Sequence, residues 1–234
     1  MKNLMFPLFV LVFSISFAQK SPKPAPVANT SSKNVWDVAN YDKSYEEFIE
    51  LDQVDDRIDF KNINYPLLQA CILFETNQQR ILNDLPALVY NEQLESAASG
   101  HAKDMTKYNF FSHTSVVSGK KSLSDRVKLA GLEPWGVGEN IATSFGLDYI
   151  SNTPVYSPKQ NNGYFSYTYQ GDPILAHTYL SYAQAVVQQW MNSSGHRANI
   201  LSTSFKSLGT GCSHYSDKSF YMMDMFHAVQ VFSY

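Results

Sequence analysis

Trp190-Met191-Asn192-Ser193-Ser194-Gly195-His196-Arg197-Ala198-Asn199-Ile200-Leu201 is the segment from which the rest of the chain can be placed. Upstream of it, Leu180, Ala183, Val186, Val187, Trp190 and Met191 recur at three- and four-residue intervals, the spacing of an amphipathic helix laid on a core. Asn192, Ser193 and Ser194 are poor helix formers and Gly195 suits a left-handed cap, so a helix is expected to end here. That ending delivers His196 and Arg197 in a short loop, anchored on one side by an indole and on the other by Ile200 and Leu201. A histidine held so firmly serves as a ligand, a catalytic base or a structural hydrogen-bonder. Position alone does not separate these roles.

The preceding sequence repeats the theme. Pro66 opens a helix where its missing N–H does no harm, with Leu67, Ala70, Phe74 and Ile81 on one face, and the helix should stop near Asn83-Asp84. Asn91 is an N-cap for a second helix whose apolar stripe, Leu94 to Tyr108, includes His101; His101 therefore reads as a buried, hydrogen-bonded core residue. Phe110-Phe111-Ser112-His113-Thr114 follows directly, a second histidine just past a helix terminus. Ser124 to Gly131 reads as a short helix capped by Ser124 and closed by Gly131. In Trp135-Gly136-Val137-Gly138-Glu139-Asn140 the glycines allow tight turns that hold the Glu139 carboxylate close to other segments. Residues 146–172, rich in Asn, Ser, Tyr, Pro and Gly, read as a surface insertion carrying a small β-hairpin. The tail carries three strand signals, Leu208 to Ser213, Phe220 to Phe226 and Ala228 to Phe232, with a turn at Ser216-Asp217-Lys218 and antiparallel pairing expected.

At 234 residues, 44% of them apolar, the chain is long enough for one domain with a full core. A net charge of -3 provides no basic stripe, which excludes nucleic acid as a partner. Lys2, the apolar run from Leu4 to Phe17 and the small residues of Ser16-Phe17-Ala18 read as a cleaved signal peptide over 1–18. No later run is long enough to cross a bilayer, so the mature chain is expected to be exported, to a periplasm or beyond. Residues 19–64 read as a proline-stiffened linker followed by an N-terminal extension, and 65–234 as the folded domain. Cys71 and Cys212 are the only cysteines; export allows a disulfide between them, and two buried free thiols are the alternative.

These pieces resemble the CAP superfamily (cysteine-rich secretory proteins, antigen 5, pathogenesis-related 1) in its bacterial branch. The matching segments, in the family's order, are Thr76 to Arg80 with Leu85 to Leu88, Leu94 to Met105, Phe111 to Thr114, Gly138 to Ala142, Trp190 to Leu201, Leu208 to Gly211 and Val229 to Phe232. The resemblance implies an α+β fold, a three-layer α-β-α sandwich around a central antiparallel sheet. It also implies a cleft of two histidines and two acids that holds a divalent metal in some members. Carried over, the cleft is His113, Glu139, Asn140, Ser193 and His196, with His113 and His196 as the metal-binding pair. Ser193 stands where eukaryotic members have the second acid, a departure that touches activity more than fold.

A catalytic zinc wants three protein ligands; His113 and His196 supply two, Glu139 is either a third or a residue that orients one of them, and no H-E-x-x-H occurs. No G-x-S-x-G elbow supports Ser112, Ser193 or Ser194 as a nucleophile. The expected function is thus a secreted, non-catalytic module binding a lipid, glycan or protein. The alternative is a hydrolase, peptidase or esterase, assisted by a metal such as zinc, with Glu139 as its catalytic general base.

Overall fold

The computed structural model describes residues 36–133 and 135–234. The expected signal peptide, 1–18, and the linker up to residue 35 lie outside the described residues. Among the described residues six α-helices, α1 (Tyr45–Ile49), α2 (Tyr65–Ile81), α3 (Glu92–Tyr108), α4 (Leu123–Leu129), α5 (Tyr179–Met191) and α6 (Ser194–Ile200), accompany four strands. The strands are β1 (Val89–Tyr90), β2 (Val137–Phe145), β3 (Ser207–Asp217) and β4 (Met223–Ser233), in the spatial order β1-β3-β4-β2.

Alternation along the strands separates the layers. In β4, Phe226, Ala228 and Phe232 join the principal core with α2, α5 and α6, whereas Val229 and Val231 join a second core with α3 and α4. The sheet is therefore buried on both faces and the architecture is an α-β-α sandwich, as expected. It is not wholly antiparallel: β2 and β3 both run antiparallel to β4, but β1 lies parallel to β3 through Val89↔Ser207 and Tyr90↔Leu208. A parallel neighbour needs a long crossover, and α3 with the segments after it supplies that crossover here.

α3 sits almost on the backbone of β3. A Cβ on Gly209 would fall 2.0 Å from the Glu95 nitrogen, and one on Gly211 would fall 2.2 Å from the Ser99 nitrogen. The opposite face of β3 exchanges hydrogen bonds with α2: Gln69 Nε2 donates to the Thr210 carbonyl (2.9 Å), and the Thr210 hydroxyl donates to the Gln69 carbonyl (2.7 Å).

Several local expectations are corrected. Gly195 does not cap a helix end: Ser193 is the extended N-cap of α6, Arg197 N–H bonds to the Ser193 carbonyl at 2.8 Å, and His196 stands on a helix rather than a loop. α4 starts two residues earlier than read, with Ser122 rather than Ser124 as the cap, in a reciprocal box with Asp125. The glycine-bearing segment around Glu139 is a nine-residue strand, β2, not a run of tight turns. Phe220 to Phe232 contributes one strand rather than two, because His227 is buried between Phe111 and Tyr215 and the pleat runs through it. The hairpin expected in 146–172 reduces to a single bridge, Tyr156↔Ser166. There the buried Asn161 donates to Ser166 Oγ (2.7 Å) and accepts from the Gln170 backbone (2.6 Å), so side-chain bonds replace a ladder.

Residues 36–64 pack on the same core. Phe48 and Val54 are fully buried, and Phe48 stacks on Phe74 of α2 at 3.9 Å. Cys71 and Cys212 are buried free thiols, and burial pushes both up from the ordinary thiol range.

Candidate functional site

β2 is an edge strand, and its neighbouring residues Glu139 and Asn140 point to opposite layers. Each organises one histidine. On the α3/α4 side, α3 ends at Asn109 in the left-handed conformation, and the chain returns over the sheet as the His113 loop. His101, buried in α3 as expected, fixes that loop by placing Nε2 3.0 Å from the Ser112 carbonyl. Arg126 of α4, itself buried, donates from Nη1 to the carbonyls of His113, Lys120 and Lys121 at 3.2–3.3 Å. Its Nη2 donates to Glu139 Oε2 at 2.6 Å, and the other carboxylate oxygen, Oε1, stands 2.8 Å from His113 Nδ1.

A carboxylate paired with arginine only accepts, so Nδ1 of His113 carries the proton and Nε2 is the free ring nitrogen. The bond to Glu139 raises the His113 pKa above the usual imidazole value, against an opposing pull from burial. The His113 side chain is 56% exposed while Glu139 beneath it is 3% exposed. The ring is thus presented to solvent on a buried mount.

On the other face, Asn140 is fully buried. Its Nδ2 donates to the His196 carbonyl (3.1 Å) and to Gln230 Oε1 (2.9 Å), and its Oδ1 accepts from Asn199 Nδ2 (2.8 Å). Gln230 Nε2 continues the chain to Thr76 Oγ1 (2.7 Å) on α2. Arg80 closes the far end of α6, donating to the carbonyls of Ile200 (2.7 Å) and Ser202 (2.8 Å). These bonds hold the seven residues of α6, too few for a stable helix alone, so that His196 stays in register with β2. Burial lowers the His196 pKa, and the charge of His113 lowers it further.

Of the residues expected in the cleft, Glu139 meets the His113 ring on one face of β2 and Asn140 meets the His196 backbone carbonyl on the other. Ser193 is the half-buried N-cap of α6 and makes no side-chain capping bond. Ser112 Oγ accepts from the Thr114 backbone (3.1 Å). The sequence reading missed Arg126, Asn199, Gln230 and Thr76. Arg126 precedes Val127 in a short, charged helix and looks solvated; the one available signal was its place beside an apolar residue that has to face the sheet.

The donor set does not fit a catalytic zinc. Both Glu139 oxygens are committed, Ser193 is not an acid, and two imidazoles remain where three protein ligands are wanted. Among the described residues no group of three or more His, Cys, Asp or Glu side chains is arranged to hold a metal ion. No helix among them is long and apolar enough to cross a membrane.

Comparison with known proteins agrees with this architecture. Residues 140–232 match the model of the cysteine-rich secretory protein family, CAP. The uncharacterized membrane protein YlbC of Bacillus subtilis (strain 168) is 30% identical over 140 residues, 60% of this chain and 30% of that protein. The uncharacterized protein YkwD of the same organism is 30% identical over 136 residues, 58% of this chain and 38% of YkwD. The chain thus spans about a third of the length of these curated relatives. A solved extracellular protein containing an SCP domain, from Bacillus anthracis, shares 27% identity with a TM-score of 0.48, covering 72% of this chain and 41% of its own. Over residues 140–232, within the sandwich described above, this chain is thus similar to the cysteine-rich secretory protein family, CAP.

Proposed function

We propose that this chain is an exported, non-catalytic binding module whose His113/His196 cleft recognises an extracellular ligand. One observation carries the reading: Glu139, the acid beneath His113, has Oε1 against His113 Nδ1 and Oε2 against Arg126 Nη2. A general base has to reach the proton it takes. Here the carboxylate is buried beneath the ring, with each oxygen already accepting a bond, and it orients an imidazole, the part a carboxylate plays behind a histidine. The apolar start of the sequence, with Lys2 ahead of it, supports export.

The test offers the purified chain to panels of glycans, lipid vesicles and extracellular proteins. It also offers ester and peptide substrates, with and without zinc. Binding to one ligand class that His113→Ala and His196→Ala each weaken about tenfold, with no turnover under any condition, is the expected result. Zinc-dependent turnover that disappears in both variants would overturn it in favour of a metal-assisted hydrolase.

A further inference from the structure

Between α3 and α4, behind the His113 loop, lies a pocket of about 230 Å³ lined by Ser96, Gly100, His101, Lys120, Arg126 and Leu129 among others. Two of its walls hold unmet hydrogen-bonding capacity. His101 is fully buried and Arg126 is 3% exposed, yet His101 Nδ1 and Arg126 Nε have no partner in the protein. Their demands are opposite. His101 Nε2 faces a carbonyl, which only accepts, so Nε2 carries the proton and Nδ1 of the neutral ring is a bare acceptor. Arg126 Nε–H is a bare donor. Buried groups left this way are uncommon and call for a ligand, a water or a functional reason.

Gly100 adds an independent sign. It lies within α3, where glycine is a poor choice for stability, but a Cβ there would meet nothing within 4 Å. No neighbour demands the glycine. Its effect is to leave the pocket open. The volume exceeds what one water fills, and Lys120, with 38% of its side chain exposed, adds an ammonium to the lining.

We propose that this pocket is a second binding site, for a phosphate group that retains a proton. The P–OH donates to His101 Nδ1, and the charged oxygens accept from Arg126 Nε and Lys120. Lys120 and Arg126 are already paired, with Asp104 (3.1 Å) and Glu139 (2.6 Å), so the pocket does not select for maximum negative charge. It selects for an oxyanion that also donates. Sulfate and simple carboxylates carry no O–H at neutral pH and leave Nδ1 unmet. Both nitrogens sit beneath the pocket wall, and binding includes a side-chain shift that uncovers them; Lys120, 38% exposed, makes that shift by leaving Asp104.

Calorimetry on the purified chain at about pH 5.5, where inorganic phosphate and a phosphomonoester both keep a proton, with inorganic phosphate, glycerol 3-phosphate and sulfate, tests the site together with the ¹⁵N resonance of His101 Nδ1. The expected result is a phosphate Kd on the order of 1 mM, sulfate at least about tenfold weaker, and a shifted Nδ1 resonance. Gly100→Met, which has room for its Cβ, fills the pocket, keeps the fold and abolishes binding. Glycerol 3-phosphate binding as well as inorganic phosphate identifies a phosphomonoester as the ligand, and its exclusion identifies free phosphate. The proposal is overturned if phosphate does not bind, if sulfate matches it, if Nδ1 is unmoved and water alone fills the pocket, or if Gly100→Met still binds. Binding that survives Gly100→Met but is lost in His113→Ala belongs to the cleft and leaves the binding-module reading standing.

Discussion

Arg126 carries the heaviest load of any single side chain near the cleft. Its guanidinium neutralises a carboxylate that is almost wholly buried and gathers three loop carbonyls. Removing one partner of a buried ion pair strands the other charge, which is far more damaging than the pair itself is stabilising. Arg126→Met should therefore lower stability by about 3–5 kcal/mol in urea unfolding, and the combined Arg126→Met/Glu139→Leu variant should recover part of that loss. Lysine is no substitute, because a point charge cannot reach a carboxylate and several carbonyls in a fork. A double variant no more stable than Arg126→Met would show that the pair's charge is not what matters here.

Contact between α3 and β3 is set by what Gly209 and Gly211 lack. Both positions bring sheet backbone against helix backbone, which has no rotamer with which to yield. Gly211→Ala should cost at least about 3 kcal/mol, at the upper end for overpacking, and should loosen the His113 loop that α3 anchors through His101. Hydrogen exchange at Ser112 to Ser115 would report the loosening; unchanged protection and an unchanged melting temperature would contradict this packing. The same elements show where sequence pattern fails. β2 was illegible as a strand because one of its faces carries Glu139 and Thr143 and the other Asn140 and Ser144. An apolar alternation test is blind to a strand whose inward residues serve a site.

Across the whole molecule, two buried acid–base groups pull against each other in the same pH window. Burial, aided by His101, depresses His227 to about 4. The unfolded chain takes up that proton first, so stability is full above the ordinary imidazole value and is lost as pH falls through about 6.5 to 4, by about 2–3 kcal/mol. Glu95 has the opposite sign. It sits where the N-terminal extension meets the domain, accepting from Tyr41, which stacks on Tyr90 at 3.8 Å, and burial raises it to about 7. Its contribution is present below the ordinary carboxylate value and is lost as pH rises through about 7. The two offset, so Glu95→Gln should steepen the loss of melting temperature on acidification from pH 7 to pH 4.5. An unchanged slope would mean that Glu95 does not titrate in that range.

Periodicity alone placed α2, α3 and α5, because each buries a continuous apolar face and starts at a side-chain cap written in the sequence: Asn64, Asn91 and Thr178. Motif order extended that reading to the sandwich. Folding alone decided the rest. α6 exists because Asn140 and Arg80 bond its carbonyls from other elements and its own Asn199 reaches across to β2. The cysteines, distant in sequence, are both buried and unjoined. Arg126, a charge in a polar helix by its local sequence, becomes the buried counter-ion on which the cleft rests. Hydrophobic spacing is a local property that a chain carries openly, whereas the partner of a buried polar atom is chosen only when distant segments meet.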